Sequence, residues 1–268
     1  MTEVDVAAVR LSPDGARADA RELAVEAPVA VEVNGLGYAV MMMTPSELDR
    51  FAMGFLLTER LIDAPADLLD AEVAATAAGL VLRVTVAADC ADRIVDRVRH
   101  RSSDTGCGLC GIAGLEQLRR PVAGAPPLPA AERSAIFAAL AAIRDHQPLG
   151  RATGAVHAAA WVGDDGSILR AFEDVGRHNA LDKLIGWGAA EGVDGGFVLV
   201  TSRVSFEMVD KALVARAPML VGISAATTLA VEHARAHGLT LVALARPDAV
   251  LVMNDPGGRL TALPAAAG

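Results

Sequence analysis

Two of the chain's three cysteines stand in Thr105-Gly106-Cys107-Gly108-Leu109-Cys110-Gly111, two residues apart and each followed by glycine. The thiolate is the nucleophile of sulfur chemistry, and nearby cations lower a cysteine's pKa. Such cations precede the pair in Arg97-Val98-Arg99-His100-Arg101. Glycines beside the sulfurs remove bulk and permit unusual backbone angles, so a second molecule can approach closely. A structural zinc site needs two further ligands at matching spacing, and only Cys90 and six scattered histidines remain. A thioredoxin-type pair should follow a strand and open a helix, whereas Arg101 to Gly106 reads as a mobile loop. An iron–sulfur cluster usually takes four protein ligands. The chemistry best supported is that of an exposed nucleophilic cysteine, Cys107, with a close thiol neighbour, Cys110.

A second set of reactive side chains lies further along. Glu173-Asp174-Val175-Gly176-Arg177-His178-Asn179-Ala180-Leu181-Asp182-Lys183 is dense and polar, and it leads into a helix. A helix start bearing Arg177 and His178, with free backbone N–H groups, is a natural anion site. The plainer alternative is a helix capped by Asp174 with its charges solvated. Short apolar strands then end at Thr201-Ser202-Arg203, at Ser224 and before Arg246-Pro247-Asp248, with Ser205 placed to cap a helix carrying Glu207, Met208 and Lys211. Ligands of such sheets bind outside the carboxyl ends of the strands, where Ser202, Arg203, Ser224, Thr227, Arg246 and Asp248 fall. Serine, threonine and arginine there suit a phosphate-bearing ligand. Neither a P-loop nor a Gly-x-Gly-x-x-Gly fingerprint is present, which argues against ordinary nucleotide hydrolysis or hydride transfer.

The remaining elements must position these groups. At 268 residues the chain can bury a core in one or two domains, and with 53% hydrophobic but only 3% aromatic residues small side chains must fill much of it. The net charge of −9 argues against an extended nucleic-acid surface. The sequence shows neither a signal peptide nor an uncharged run long enough for a membrane span, and three cysteines do not form a secreted disulfide framework. The expectation is a cytoplasmic, reduced protein with no nucleic-acid or membrane partner. Residues 1–27 read as a loose lead-in, 28–120 as a small α+β domain carrying the cysteine loop, 121–130 as a proline-rich linker, and 131–268 as a larger domain. In the small domain Val29 to Val33 and Gly37 to Met42 read as strands around an Asn34-Gly35 turn. Thr44-Pro45-Ser46-Glu47 carries the signals of a helix start, with Thr44 as cap and Glu47 closing a capping box. Leu80 to Val86 alternates as a strand, Asp89 to Arg99 reads as a helix, and Cys90 reads as a small buried residue. In the larger domain a helix over Ala131 to Asp145 precedes strands alternating with helices, the pattern of a largely parallel sheet covered on both faces.

Six stretches, in this order, carry a family resemblance: Met41-Met42-Met43-Thr44-Pro45, Thr105 to Gly111, Thr153-Gly154-Ala155-Val156-His157-Ala158-Ala159-Ala160, Glu173 to Lys183, Ser202-Arg203-Val204-Ser205-Phe206-Glu207-Met208-Val209, and Ser224-Ala225-Ala226-Thr227-Thr228-Leu229-Ala230-Val231. Together they resemble the formate dehydrogenase accessory sulfurtransferases, FdhD, over about residues 28–259. The resemblance implies a sulfur carrier. A cysteine desulfurase would load Cys107 as a persulfide, Cys110 would assist or share the sulfur, and the acceptor would be a bis(molybdopterin guanine dinucleotide) molybdenum or tungsten cofactor on its way into formate dehydrogenase. It also implies an α/β fold with a cytidine-deaminase-like larger domain, a mixed sheet with helices on both faces, and a homodimer with GDP as a mimic of the cofactor's nucleotide ends. The cofactor segment corresponds to Leu244-Ala245-Arg246-Pro247-Asp248-Ala249, where the family more often has Pro-Gly-Arg in place of Pro247-Asp248-Ala249. The implied cofactor contacts further include His157, Arg177, His178, Arg203, Ser205, Lys211, Ser224 and Thr227. A zinc deaminase reading fails on the sequence, because His157 is followed by Ala158 and Ala159 and lacks the proton-shuttling glutamate. A binding chaperone without sulfur chemistry remains as the alternative.

Overall fold

The computed structural model describes residues 1–101 and 124–261. The loop with Cys107 and Cys110, and residues 121–123 of the proline-rich segment, lie outside the described residues. Two mixed sheets, each with its own apolar core, stand on either side of a pair of crossed helices.

The chain opens with β1 (Glu3–Ser12) and β2 (Gly15–Ala24), an antiparallel ribbon running from Glu3 opposite Ala24 to Ser12 opposite Gly15. The expectation of a loose lead-in is therefore corrected. Glu3-Val4-Asp5-Val6 alternates polar and apolar, and Gly15, at φ 143°, makes the turn that a side-chain-bearing residue would resist. The signal was weak because this ribbon joins neither sheet and most of its side chains are exposed.

The small sheet contains β3 (Ala27–Val33), β4 (Leu36–Met43), β5 (Leu68–Thr76) and β6 (Gly79–Val86) in the order β4-β3-β6-β5, with β3 and β6 parallel. Val29, Val31, Val33, Leu82, Val84 and Val86 point to one face, where α1 (Leu48–Thr58) lays Phe51, Phe55 and Leu56. Helix α2 (Ala91–Arg101) closes this core with Ile94. Cys90 is buried there, and burial raises its thiol pKa. Helix α1 does not begin at Thr44. It begins at Leu48, with Glu47 in the left-handed region at φ 55° and no capping bond. Thr44 is engaged elsewhere: its Oγ1 accepts from the Val175 N–H at 3.2 Å and its own N–H donates to Asp174 at 3.1 Å.

The large sheet contains β7 (His157–Val162), β8 (Ile168–Asp174), β9 (Phe197–Val200), β10 (Met219–Gly222), β11 (Thr240–Ala243) and β12 (Leu251–Asn254), ordered β12-β11-β10-β9-β7-β8. Its centre, β9-β10-β11, is parallel, while β7 and β12 run against their neighbours. Side chains of a strand alternate between faces, and both faces are covered. Ala159, Trp161, Val198, Val200, Leu220 and Leu241 meet α5 (Arg177–Glu191), α6 (Phe206–Val214) and α7 (Thr228–Ala236). Ala160, Val162, Phe197, Leu199, Met219, Val221 and Val242 meet α3 (Arg133–Ala142). Helix α4 (Pro148–Thr153) leads into β7.

The two halves join where α1 crosses α5. Helix α5 turns Ala180, Leu181, Leu184 and Ile185 to the large sheet. Its other stripe, at helical spacing, is Asn179, Asp182, Lys183 and Gly186, all buried. A Cβ on Gly186 would stand 1.9 Å from the Arg50 carbonyl oxygen, and one on Gly54 would stand 1.8 Å from that of Asp182. The helix backbones touch through these two glycines. Gly186→Ala forces the helices apart, and overpacking of a closed core costs about 1–3 kcal/mol. Equilibrium denaturation reads the loss; an unchanged midpoint would refute the crossing.

Candidate functional site

Strands β8, β9, β10 and β11 all end at the same edge of the large sheet, and α5, α6 and α7 start there. Strand β7 begins at that edge with His157, held in place because Thr201 Oγ1 accepts from the Ala158 N–H at 2.9 Å. Three helix N-termini therefore converge, each presenting N–H groups and the positive end of its dipole. Into the same space come Arg177 and His178 from α5, Arg203 from the end of β9, and Glu207 from the first turn of α6.

The cluster holds two guanidiniums, two imidazoles and one carboxyl. Burial, together with Arg177 and Arg203, lowers the His157 pKa. Burial, reinforced by Arg177 and Lys211, lowers that of His178 to about 4, against a small opposing effect of Glu207. Both imidazoles are neutral near pH 7. Burial acts to raise the Glu207 pKa, but its own backbone N–H, the Ser205 hydroxyl and the nearby His178 and Arg177 outweigh it, and the carboxyl stays ionised. Arg177 Nε and His178 Nε2 are buried without a hydrogen-bond partner. Buried polar atoms are normally satisfied, so these two mark where a ligand atom fits.

The His178 shift has a thermodynamic consequence. Between about pH 4 and 6.5 the unfolded chain takes up a proton at His178 that the folded chain refuses. This contribution to stability is thus complete above pH 6.5 and is lost as pH falls toward 4. His178→Gln should flatten the pH dependence by about 2 kcal/mol between about pH 7 and about pH 4.5. Urea denaturation of both proteins at the two pH values measures it, and equal slopes would refute it.

The expected site residues divide into those at the edge and those committed elsewhere. Ser224 lies at the end of β10, and its carbonyl accepts the Leu244 N–H at 3.0 Å. Leu244 takes a left-handed φ of 48°, and Arg246 N–H donates to the Ala249 carbonyl at 2.8 Å, closing a turn over Pro247 and Asp248. Arg246, Pro247, Asp248 and Ala249 are exposed beyond the edge, but Ala245 packs into the core. Thr227 caps α7, its Oγ1 accepting from the Ala230 N–H at 3.3 Å. Ser205 occupies the N-cap position of α6 without a side-chain capping bond.

Lys211 is the clearest departure from expectation. Its Nζ donates to Asp182 Oδ1 at 2.7 Å, to Asp182 Oδ2 at 2.8 Å and to Thr58 Oγ1 at 2.8 Å. All three N–H groups are thereby used in joining α6 to α5 and α1, so Lys211 influences the edge through its charge alone. Asp182 is fully buried, and burial raises its pKa against the pull of Lys211.

Sequence reasoning missed a second buried pair. Lys183 Nζ donates to Asp174 Oδ2 at 2.6 Å and to the Thr44 carbonyl at 3.0 Å, with both side chains fully buried. Asp174 also accepts from Gly176 N–H and from Asn179 Nδ2, which donates in turn to the Met42 carbonyl. Arg60, at φ 57°, adds a bidentate pair with Asp210 at 2.8 and 2.9 Å, and His233 Nε2 lies 3.3 Å from the same carboxylate. Hydrogen bonding from His233 and Arg60 holds the Asp210 carboxyl below its usual range despite burial. The signal was present in the spacing of 174, 179, 182 and 183, but a charge run is ordinarily a solvated face.

Residues 24–259 match the FdhD/NarQ family. The chain is 43% identical over 245 residues to "Sulfur carrier protein FdhD" of Variovorax paradoxus, covering 91% of this chain and 88% of that one. It is 43% identical to the protein of the same name from Chromobacterium violaceum, covering 90% and 91%, and 42% identical to that of Bordetella parapertussis, covering 87% and 86%. The fold is similar to the crystal structure of a Desulfotalea psychrophila protein described as a formate dehydrogenase accessory protein, with a TM-score of 0.75 at 24% identity over 97% of this chain and all of the other. Among the described residues no helix is long and apolar enough to cross a membrane. With a match that takes in both cysteines, every strand of the large sheet and the polar edge, the chain belongs to the FdhD/NarQ family.

Proposed function

We propose that this protein is a sulfur carrier in formate dehydrogenase maturation, acting through a Cys107 persulfide. The observation that supports this reading is that the family match, residues 24–259, spans both Cys107 and Cys110 and the cationic edge of the large sheet. In the loading step the Cys107 thiolate attacks the terminal sulfur of a persulfide on a cysteine desulfurase. The S–S bond of the donor breaks, the desulfurase recovers its thiolate, and Cys107 carries the extra sulfur; Cys110 assists or shares it. The acceptor is a bis(molybdopterin guanine dinucleotide) molybdenum or tungsten cofactor, bound as cargo at the strand ends and passed on to formate dehydrogenase.

The edge supports that cargo. Arg177, Arg203 and Arg246 offer positive charge, three helix N-termini offer N–H groups, and the orphan Arg177 Nε and His178 Nε2 offer donors for ligand oxygen or nitrogen. Neutral imidazoles leave the guanidiniums as the fixed charges that a diphosphate would neutralise. The larger domain is read as cytidine-deaminase-like in architecture without its proton shuttle, and the working form as a cytoplasmic homodimer. Incubation with a desulfurase and cysteine, followed by intact mass measurement, should show one added sulfur atom that Cys107→Ala removes. A spectrum without the adduct would overturn the carrier reading. GDP should bind saturably, and Arg246→Ala should weaken it by about tenfold, the worth of one charge-assisted hydrogen bond; a flat titration of the parent would overturn the cargo site.

A further inference from the structure

Beside the strand-end cluster, and separate from it, lies a cavity of about 210 Å³ lined by Arg144, Gln147, Gly150, Arg151, Gly154 and Val156. It opens where the short turn Ile143–His146 meets α4 and the segment entering β7. A third guanidinium stands at its rim: Arg21 Nη2, from the N-terminal ribbon, donates to the Thr153 carbonyl at 3.1 Å and lies 3.4 Å from where a Cβ on Gly154 would be. Three arginines from three separate elements thus gather in one place, in a chain of net charge −9.

Among the described residues Arg21, Arg144 and Arg151 form no ion pair. Glu173 borders the cavity: its Oε1 lies 2.9 Å from where a Cβ on Gly150 would be, its carboxyl feels the charge of Arg151, and it accepts from the Leu149 N–H at 2.9 Å and the Gly150 N–H at 2.7 Å. Arg151 Nη1 donates to the Arg144 carbonyl, which fixes that guanidinium on the cavity wall. Three guanidiniums beside one carboxyl leave a surplus of positive charge, and a bound oxyanion relieves this. Guanidinium forks match the geometry of phosphate oxygens, the Gln147 amide adds a neutral donor, and Gly150 and Gly154 keep the cavity free of side-chain bulk.

We propose that this cavity is an oxyanion subsite for a phosphate or diphosphate group. At 210 Å³ it is smaller than the roughly 300 Å³ at which pockets for whole organic ligands begin, so it takes an end group and not a nucleoside. The group can come from free diphosphate or from the diphosphate of a nucleotide whose base lies outside. The subsite does not depend on the sulfur-carrier reading, since none of its residues belongs to the strand-end cluster.

Calorimetric titration of the full-length protein with inorganic diphosphate tests it. The parent should bind saturably, and Arg144→Ala with Arg151→Ala should weaken binding by at least about a hundredfold, about tenfold for each charge-assisted hydrogen bond removed. Arg83→Ala, which removes an exposed cation on the small sheet, should leave diphosphate binding within about twofold. Both arginines of the double variant are exposed, so it should keep the parent's melting temperature and circular dichroism. A parallel titration with GDP separates the sources: equal weakening by the double variant assigns the subsite to a nucleotide diphosphate, and unchanged GDP binding assigns it to the free ion. A parent that binds no diphosphate overturns the proposal, as does binding kept at the parent's strength in the double variant. Failure of GDP binding through Arg246→Ala alone leaves this subsite standing.

Discussion

Lys183→Met should lower the melting temperature by about 10 °C. The ammonium and the Asp174 carboxylate are both fully buried and 2.6 Å apart. Deleting one member of such a pair leaves an uncompensated charge in the interior, at a cost of about 3–5 kcal/mol, and each kcal/mol moves the transition of a domain this size by roughly 2–4 °C. Asp174→Ala should cost at least as much. It strands the ammonium and also removes the acceptor of three further donors, the N–H groups of Thr44 and Gly176 and the Asn179 amide. The double variant Asp174→Ala with Lys183→Met should recover part of the loss, because two neutral groups replace one unpaired charge. Scanning calorimetry decides the matter, and a shift within about 2 °C for Lys183→Met would show the pair to be open to water.

Cys107→Ala should abolish activation of formate dehydrogenase when the variant is the sole accessory protein supplied. A nucleophile that carries the transferred atom cannot be replaced by a methyl group, so the expected loss is complete and not graded. The alternative of a chaperone that only delivers cofactor predicts the opposite, with activation retained in Cys107→Ala. Cys90→Ala serves as control: that thiol is buried in the small core with a raised pKa, and its loss should alter stability and leave activation unchanged.

Some of this was legible in the sequence and some was not, for identifiable reasons. The buried strands Phe197–Val200, Met219–Gly222 and Thr240–Ala243 are short apolar runs between turn residues, and burial on both faces makes such runs conspicuous. Strand Leu68–Thr76 is hard to see because alanines at 71, 74 and 75 weaken its apolar signal on a largely exposed edge. At Thr44 the local signal misleads. A capping box competes with whatever else can bond the same hydroxyl, and here residues some 130 positions away win. The candidate anion residues are found where strands end, because topology alone fixes that edge. Lys211 is misplaced by sequence reasoning because the partners that consume its protons, Thr58 and Asp182, sit 153 and 29 residues away, and no spacing rule reaches them. The stripe Asn179, Asp182, Lys183 and Gly186 reads in the sequence as part of a functional motif, yet its side chains stitch two halves of the protein together.

Among the described residues the strand-end groups stand at one rim of the large sheet, and the connection at 192–195 stands at the opposite rim. A side chain added at Gly192 would meet nothing within 4 Å. An affinity handle or fluorophore grafted at the neighbouring exposed Asp194 would hold the protein by its back, leaving donor, cargo and client free to dock at the front while their arrivals are timed.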